Sequence, residues 1–402
     1  MNTQATAHRS FRCPGPIRRR AALQWGALGL GGLSLADCLR LKAQAGTASK
    51  PPETAVIFIW LPGGPPHMET YDMKPEAPAD YRGEFRPIST TVPELQVCEL
   101  LPRHAAIAHK YNIIRSISHE FADHGGGHKR FLTGRLPKTP TGFVNDAPAA
   151  PSIVAKMREH IDVGLPNYIA GVPRGDVDTF SFGAAYLGPA YTPFMVHGDP
   201  SSPKFEVKNL ALDKRIGDRL LDRRRLLAQF DRLRRSVDTT GLMDAMDEFN
   251  QRAVSMLLSD RARRAFDLSD EPESLKARYG HHCWGYRALL ARRLVEAGCS
   301  FVTMIMENPY QSGVPWLPNN EGVYNWDSHA VNCHIFKDLR VRLPIYDQAV
   351  TALIEDLFDR GLDKKVMLIV TGEFGRTPRI NPQNGRPGRD HWPQAMSMLV
   401  TG

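Results

Sequence analysis

The chain is sparing with several features that would have decided its class at once. Its six cysteines stand far apart, and Cys98, Cys283, Cys299 and Cys333 form no CxxC pair or zinc-finger spacing. A compact disulfide or zinc module is therefore excluded, and any disulfide pairing stays open. After residue 45 no apolar run is long enough to cross a bilayer. There is no internal repeat and no strict hairpin pattern. Excess charge is also missing from most of the chain. Seven of the 51 basic residues but only one of the 43 acidic ones, Asp37, lie in residues 1–45, which leaves the remainder at about +2. The overall +8 thus gives no support to nucleic-acid binding.

Those first 45 residues read as a signal. Arg18-Arg19-Arg20-Ala21-Ala22-Leu23 is a twin-arginine pattern, a Gly- and Leu-rich stretch follows, and Ala43-Gln44-Ala45 is a small-residue cleavage site. The expectation is export by the twin-arginine route to the periplasm or beyond. The mature chain, 46–402, is then long enough for one large domain.

Its organising stretch is Val366 to Trp392. Five apolar residues, 366–370, predict a strand buried on both faces of a parallel sheet. Thr371-Gly372-Glu373-Phe374-Gly375-Arg376-Thr377-Pro378 follows, and Arg389-Asp390-His391-Trp392 closes the loop. Ligands of open α/β sheets bind beyond the carboxyl ends of strands, so the site is expected here. Residues 54–61, 112–116 and 301–306 predict further strands, central and parallel with 366–370. Residues 97–110, 284–297 and 343–360 read as helices, and 146–203 as mostly irregular. Charge-laced stretches at 210–237 and 242–266 suggest a helical hairpin inserted at about 205–270. The fold class is therefore α/β, a mainly parallel central sheet flanked by helices.

Four ionisable clusters follow strands or sit in Gly-rich loops. They are His67/Glu69/Asp72, Asp123/His124/His128, Asp327/Ser328/His329 and Glu373 with Asp390/His391. Mixed carboxylate and imidazole suits a divalent cation, Zn or Mn first. The three glycines between His124 and His128 also allow an anion-binding turn. Asp338 and Asp347 read as ordinary helix positions, and His281-His282-Cys283 as a structural helix start.

Gly63-Gly64-Pro65-Pro66-His67, Tyr71-Asp72-Met73-Lys74-Pro75, Trp326-Asp327-Ser328-His329, Gly372-Glu373-Phe374-Gly375-Arg376-Thr377-Pro378 and Gly388-Arg389-Asp390-His391-Trp392 together resemble the signature of the DUF1501 family. Those are twin-arginine-exported bacterial proteins placed in the alkaline phosphatase/sulfatase-like superfamily. The resemblance implies an alkaline phosphatase-like sheet and an exported metal-dependent hydrolase of phosphate or sulfate esters. A small-molecule or polysaccharide ester would be the substrate. The alternative is a non-catalytic binding or surface-assembly protein on the same fold. In the hydrolase reading Asp327, His329, Asp390 and His391 bind metal, with His67, Asp72, His124 or His128 contributing. Glu373 is a ligand or general base, Arg376 or Arg389 holds the oxyanion, and Ser116, Ser118 or Thr133 is a nucleophile candidate. No cysteine or serine starts the x-Pro-x-Arg pattern that formylglycine sulfatases need, so that chemistry is not expected. Family members continue past the apolar run 396–400, and this chain reads as C-terminally truncated.

Overall fold

The computed structural model describes residues 54–402 except 143, 162, 173–181, 208–258 and 312. The signal segment and most of the proposed helical insertion lie outside the described residues. Eleven strands are described there: β1 (Ala55–Trp60), β2 (Pro87–Ser89), β3 (Gln96–Cys98), β4 (Asn112–Ile117), β5 (Tyr168–Val172), β6 (Phe194–His197), β7 (Phe301–Ile305), β8 (Val366–Thr371), β9 (Gly375–Arg376), β10 (His391–Trp392) and β11 (Met396–Thr401). The described α-helices are α1 (Ala79–Arg82), α2 (Pro102–Ala106), α3 (His124–Thr133), α4 (Ala150–Met157), α5 (Asp260–Phe266), α6 (Glu273–Tyr279), α7 (Cys283–Glu296) and α8 (Ile335–Asp359).

Seven strands form one sheet in the order β4-β11-β8-β1-β7-β5-β6. β1 pairs parallel with both β7 and β8, and β5 parallel with β7 and β6. The centre is thus the parallel α/β sheet that the apolar runs predict. Alternation along β1 explains why both faces are covered. Ile57 and Ile59 join the core containing Leu289, Leu343 and Leu353 of α7 and α8. Phe58 and Trp60 point the other way, into a core with Leu132 of α3 and Ala155 of α4.

Several expectations need correction. Strand β4 is not central: it lies at the sheet edge, mostly exposed, and its sheet neighbour is the antiparallel β11. The apolar run near residue 400 forms β11, which sits inside the sheet between β8 and β4. Met367 of β8 is 46% exposed, so that strand is not sealed on both faces. Residues 146–203, read as mostly irregular with a few short elements, do supply three: α4, β5 and β6. Residues 97–110 hold the end of β3, then α2 and a 3-10 turn, rather than one helix.

The helical layer carries its own buried ion network. Arg292, 1% exposed, stands 2.7 Å from Glu271, 2.6 Å from Glu296 and 2.9 Å from Asp356. Asp356 also accepts from Tyr279 and Arg360. Asp338 and Asp347 are not ordinary surface positions. Asp347 accepts the backbone N–H groups of Arg103 and His104 at the start of α2 and lies 2.6 Å from His104 Nδ1. Asp338 holds Arg342 at 2.8 Å and the Tyr310 hydroxyl at 2.6 Å. His282 does cap α7, accepting from the Gly285 N–H.

Candidate metal centre

The turn after β1 and the turn after β8 meet above the sheet. Gly63 and Gly64 both have positive φ, and a Cβ on Gly63 would lie 2.5 Å from the Asp327 nitrogen. Only glycine lets the chain pass that close. In return the Gly63 N–H donates to Glu373 Oε1 at 2.8 Å. Glu373 is fully buried. The same oxygen lies 2.7 Å from His124 Nδ1 and 3.4 Å from His128 Nε2. Among the described residues no group hydrogen-bonds its other oxygen, Oε2, which is also shut from solvent.

His124 and His128 share a face because they stand four apart on α3. Asp123 caps that helix through the Gly126 N–H, and the Gly127 N–H bonds the Asp123 carbonyl. Those amides serve the helix, so the anion-turn reading of the three glycines is not met. Asp327 faces His124 from the opposite side, with Oδ2 3.6 Å from Nε2. Its Oδ1 takes Arg376 at 2.7 Å, His391 Nε2 at 3.1 Å and His329 Nε2 at 3.3 Å. Two sets of donor atoms therefore converge, each within 4.8 Å: His124, His128 and Glu373, and His124, Asp327 and His391.

Proton bookkeeping shows what is unusual here. His391 Nδ1 lies 2.6 Å from the Ala122 carbonyl oxygen, and His329 Nδ1 lies 2.7 Å from Asp390. His124, His329 and His391 thus each present both ring nitrogens to oxygen acceptors, although a neutral imidazole carries one N–H. Three carboxylates, Asp327, Glu373 and Asp390, confront one guanidinium, that of Arg376. Burial opposes charge on His124, yet its bonds to Asp327 and Glu373 outweigh burial and push its pKa up to about 10. Burial would raise the Glu373 carboxyl, but His128 and His124 hold it well below the usual carboxylate range. Asp327 is held low in the same way by His124, His391 and Arg376, again against burial.

Other candidates fall elsewhere. Arg389 does not reach the cluster: it is buried and forks onto Glu69, with Nε 2.9 Å from Oε2, and onto the carbonyls of Thr377 and Tyr81. Its fork geometry is spent inside the scaffold, so it holds no oxyanion. Arg376 is equally committed, to Gly63, Gly64, Arg389 and Trp326 carbonyls and to Asp327, so it positions Asp327 instead. Asp72 pairs with Lys74 at 2.7 Å and lies 3.8 Å from Arg115. His67 accepts the Arg376 N–H through Nδ1, and burial pushes its pKa down to about 4. Neither joins the two donor sets. His329 and Asp390 form a pair on the rim, with Asn381 bonding the second Asp390 oxygen at 2.9 Å. Thr133 bonds the Lys129 carbonyl at the end of α3, while Ser116 and Ser118 are exposed on and after β4. His119, overlooked in the sequence, stands with Nε2 2.6 Å from the Glu373 carbonyl oxygen and takes the Phe121 N–H on Nδ1, which makes Nε2 the donor. Its place two residues beyond the β4 end was the available signal.

The chain is an α/β protein whose imidazoles and carboxylates gather beside the turns that follow the parallel strands β1 and β8. Over residues 53–402 the chain matches the family described as "Protein of unknown function (DUF1501)", and it belongs to that family. No curated protein sequence matches it. Among solved structures it is similar to the lipoteichoic acid synthase LtaP from Listeria monocytogenes, with 8% identity and a TM-score of 0.37 over 90% of this chain and 70% of that one. It is also similar to alkaline phosphatase from the Antarctic bacterium TAB5, with 14% identity and a TM-score of 0.36 over 88% of this chain and 92% of that one. A mutant of the latter with Mg bound gives 14% identity and a TM-score of 0.34, over 88% and 91%.

Proposed function

We propose that the chain is an exported metal-dependent hydrolase of phosphate or sulfate esters, independent of formylglycine. One observation carries this reading. Three imidazoles bring both ring nitrogens within 3.6 Å of an oxygen, beside a buried carboxylate oxygen, Glu373 Oε2, that no group hydrogen-bonds among the described residues. A divalent cation bound there would replace protons that neutral rings cannot supply and would balance the surplus of carboxylates. Nitrogen and oxygen donors together suit Zn or Mn, so the residues fit the group.

His124, His128, Glu373, Asp327 and His391 are the residues that would hold it. Such a cation polarises an ester oxygen and lowers the pKa of a bound water. The remaining roles belong to the chain. Arg376 fixes Asp327, the Ala122 carbonyl fixes the tautomer of His391, and His119 pins the Glu373 backbone. His329, with Nδ1 held by Asp390 and Nε2 3.3 Å from Asp327 Oδ1, links the rim to the centre and could relay a proton between them. The substrate would be a small-molecule or polysaccharide ester met outside the cytoplasm, after twin-arginine export. Replacing Arg19 and Arg20 by Lys should then leave the precursor uncleaved inside the cell.

A second reading keeps the cation and drops turnover. It is favoured by Arg376 and Arg389, whose guanidinium groups are both spent on internal partners. Stripping the protein with a chelator and reloading it with Zn or Mn decides between them. The hydrolase reading expects turnover of aryl phosphate or aryl sulfate that vanishes and returns with the metal. A metal-loaded chain inert on both ester classes would leave the binding reading in its place.

A further inference from the structure

The two donor sets meet at one imidazole, and they meet at its opposite ends. His124 Nδ1 lies 2.7 Å from Glu373 Oε1, on the side of His128. His124 Nε2 lies 3.6 Å from Asp327 Oδ2, on the side of His391. Each side offers one carboxylate and one further imidazole, and all three donors of a side lie within 4.8 Å. The ring has little freedom to turn away. Phe374 lies 5.3 Å from it, centroid to centroid, and the His391 ring 4.4 Å. Its helix is fixed as well, since a Cβ on Gly125 would lie 2.3 Å from the Gly142 carbonyl oxygen.

We infer that His124 bridges two divalent transition cations, one on each ring nitrogen, with Glu373 and His128 completing one position and Asp327 and His391 the other. This inference rests on reading the site as a metal centre and adds the number of cations and the group that couples them. The exchange balances simply. The imidazolium ring gives up its two N–H protons to solvent, each nitrogen lone pair forms a bond to one cation, and nothing is oxidised or reduced. Glu373 Oε2, buried and without a hydrogen bond among the described residues, is a donor that the scaffold leaves unused. Each position collects two nitrogens and a carboxylate, a set that suits Zn and also accepts Cu.

Copper makes the bridge visible, because two Cu(II) ions joined through one imidazolate couple their spins. The full-length protein, freed of metal and titrated with Cu(II), is expected to bind two ions per chain. The second ion should erase most of the electron-spin resonance signal of the first. The same protein loaded with Zn should carry two ions by elemental analysis. His128→Asn and His391→Asn should each lower the affinity of one position by about a hundredfold or more and restore a single uncoupled copper signal. The wild-type titration decides the matter even where a variant does not fold. Two coppers with full, uncoupled signals would overturn the bridge, and so would binding that stops at one ion. One ion with ester turnover intact would leave the proposed function standing, whereas no bound ion would remove both.

Discussion

Two buried ionic clusters in this chain are built to opposite rules. Between α7 and α8, Arg292 and Arg360 are met by Glu271, Glu296 and Asp356, and guanidinium forks face carboxylates throughout. No imidazole takes part in those pairs. Above the sheet, three carboxylates share one guanidinium and are otherwise faced by imidazoles whose two nitrogens both meet oxygen. The first cluster pairs its charges internally, each carboxylate standing within ion-pair distance of at least one guanidinium, with Arg293 also on Glu271. The second sets three carboxylates against one guanidinium and one charged imidazole, so negative charge is left over for a cation to meet. A completed network reads as scaffold, and an uncompensated one as a place for a ligand.

The contrast can be broken by experiment. Arg292→Met should cost about 1.5–3 kcal/mol of folding stability in urea titrations, because it leaves Glu271, Glu296 and Asp356 with one charged partner fewer. Metal content of the folded fraction should not change, and a loss there would mean that the two clusters are one. Glu373→Gln should act on the site first. Cation affinity is expected to fall by about a hundredfold or more, a larger loss than the outer-shell effects known for metal sites. Metal-free stability should fall too, because His124, His128 and the Gly63 N–H favour the ionised carboxylate in the folded chain. Equal metal affinity in Glu373→Gln and wild type would remove this residue from the centre.

Acid gives the smallest of the three effects and sharpens the comparison. Burial pushes the pKa of His282, the α7 cap, down to about 4 from an ordinary 6.5. The neutral ring therefore supports the fold above pH 6.5, and that support drains away as pH falls from 6.5 to 4, where the folded form also takes the proton. The expected slope is about one proton, and the loss is of order 1–3 kcal/mol. His282→Asn keeps a capping side chain and should flatten the profile in this window. An unchanged profile in the variant would assign the acid response elsewhere.

Much of the centre of the sheet was legible because β1 and β7 are apolar on both faces and bounded by turn residues. β5 was not, since Tyr-Ile-Ala-Gly-Val contains a glycine and lies in a Pro- and Gly-rich stretch. That glycine is a packing device: a Cβ on Gly171 would lie 2.3 Å from Met304 Sδ on the neighbouring strand. In the site, Asp327, His391, His124, His128 and Glu373 were all named from the chain and do gather. Arg389 misled because its partner, Glu69, is 320 positions away in the chain and belongs to the cluster read as ligands. Sequence brings charges into view but cannot pair them. Whether a guanidinium is free or spent depends on carbonyl groups such as those of Thr377 and Tyr81, which carry no sequence signal.

The place of β11 bears on how the protein can be made. β4 is synthesised early, yet its sheet partner is Met396–Thr401, and that strand also links it to β8. The loop leaving β4 leads directly to α3 and so to His124 and His128. A nascent chain therefore holds the helix of these imidazoles behind an unanchored strand until Met396–Thr401 has been made. Assembly of the site would wait for that strand.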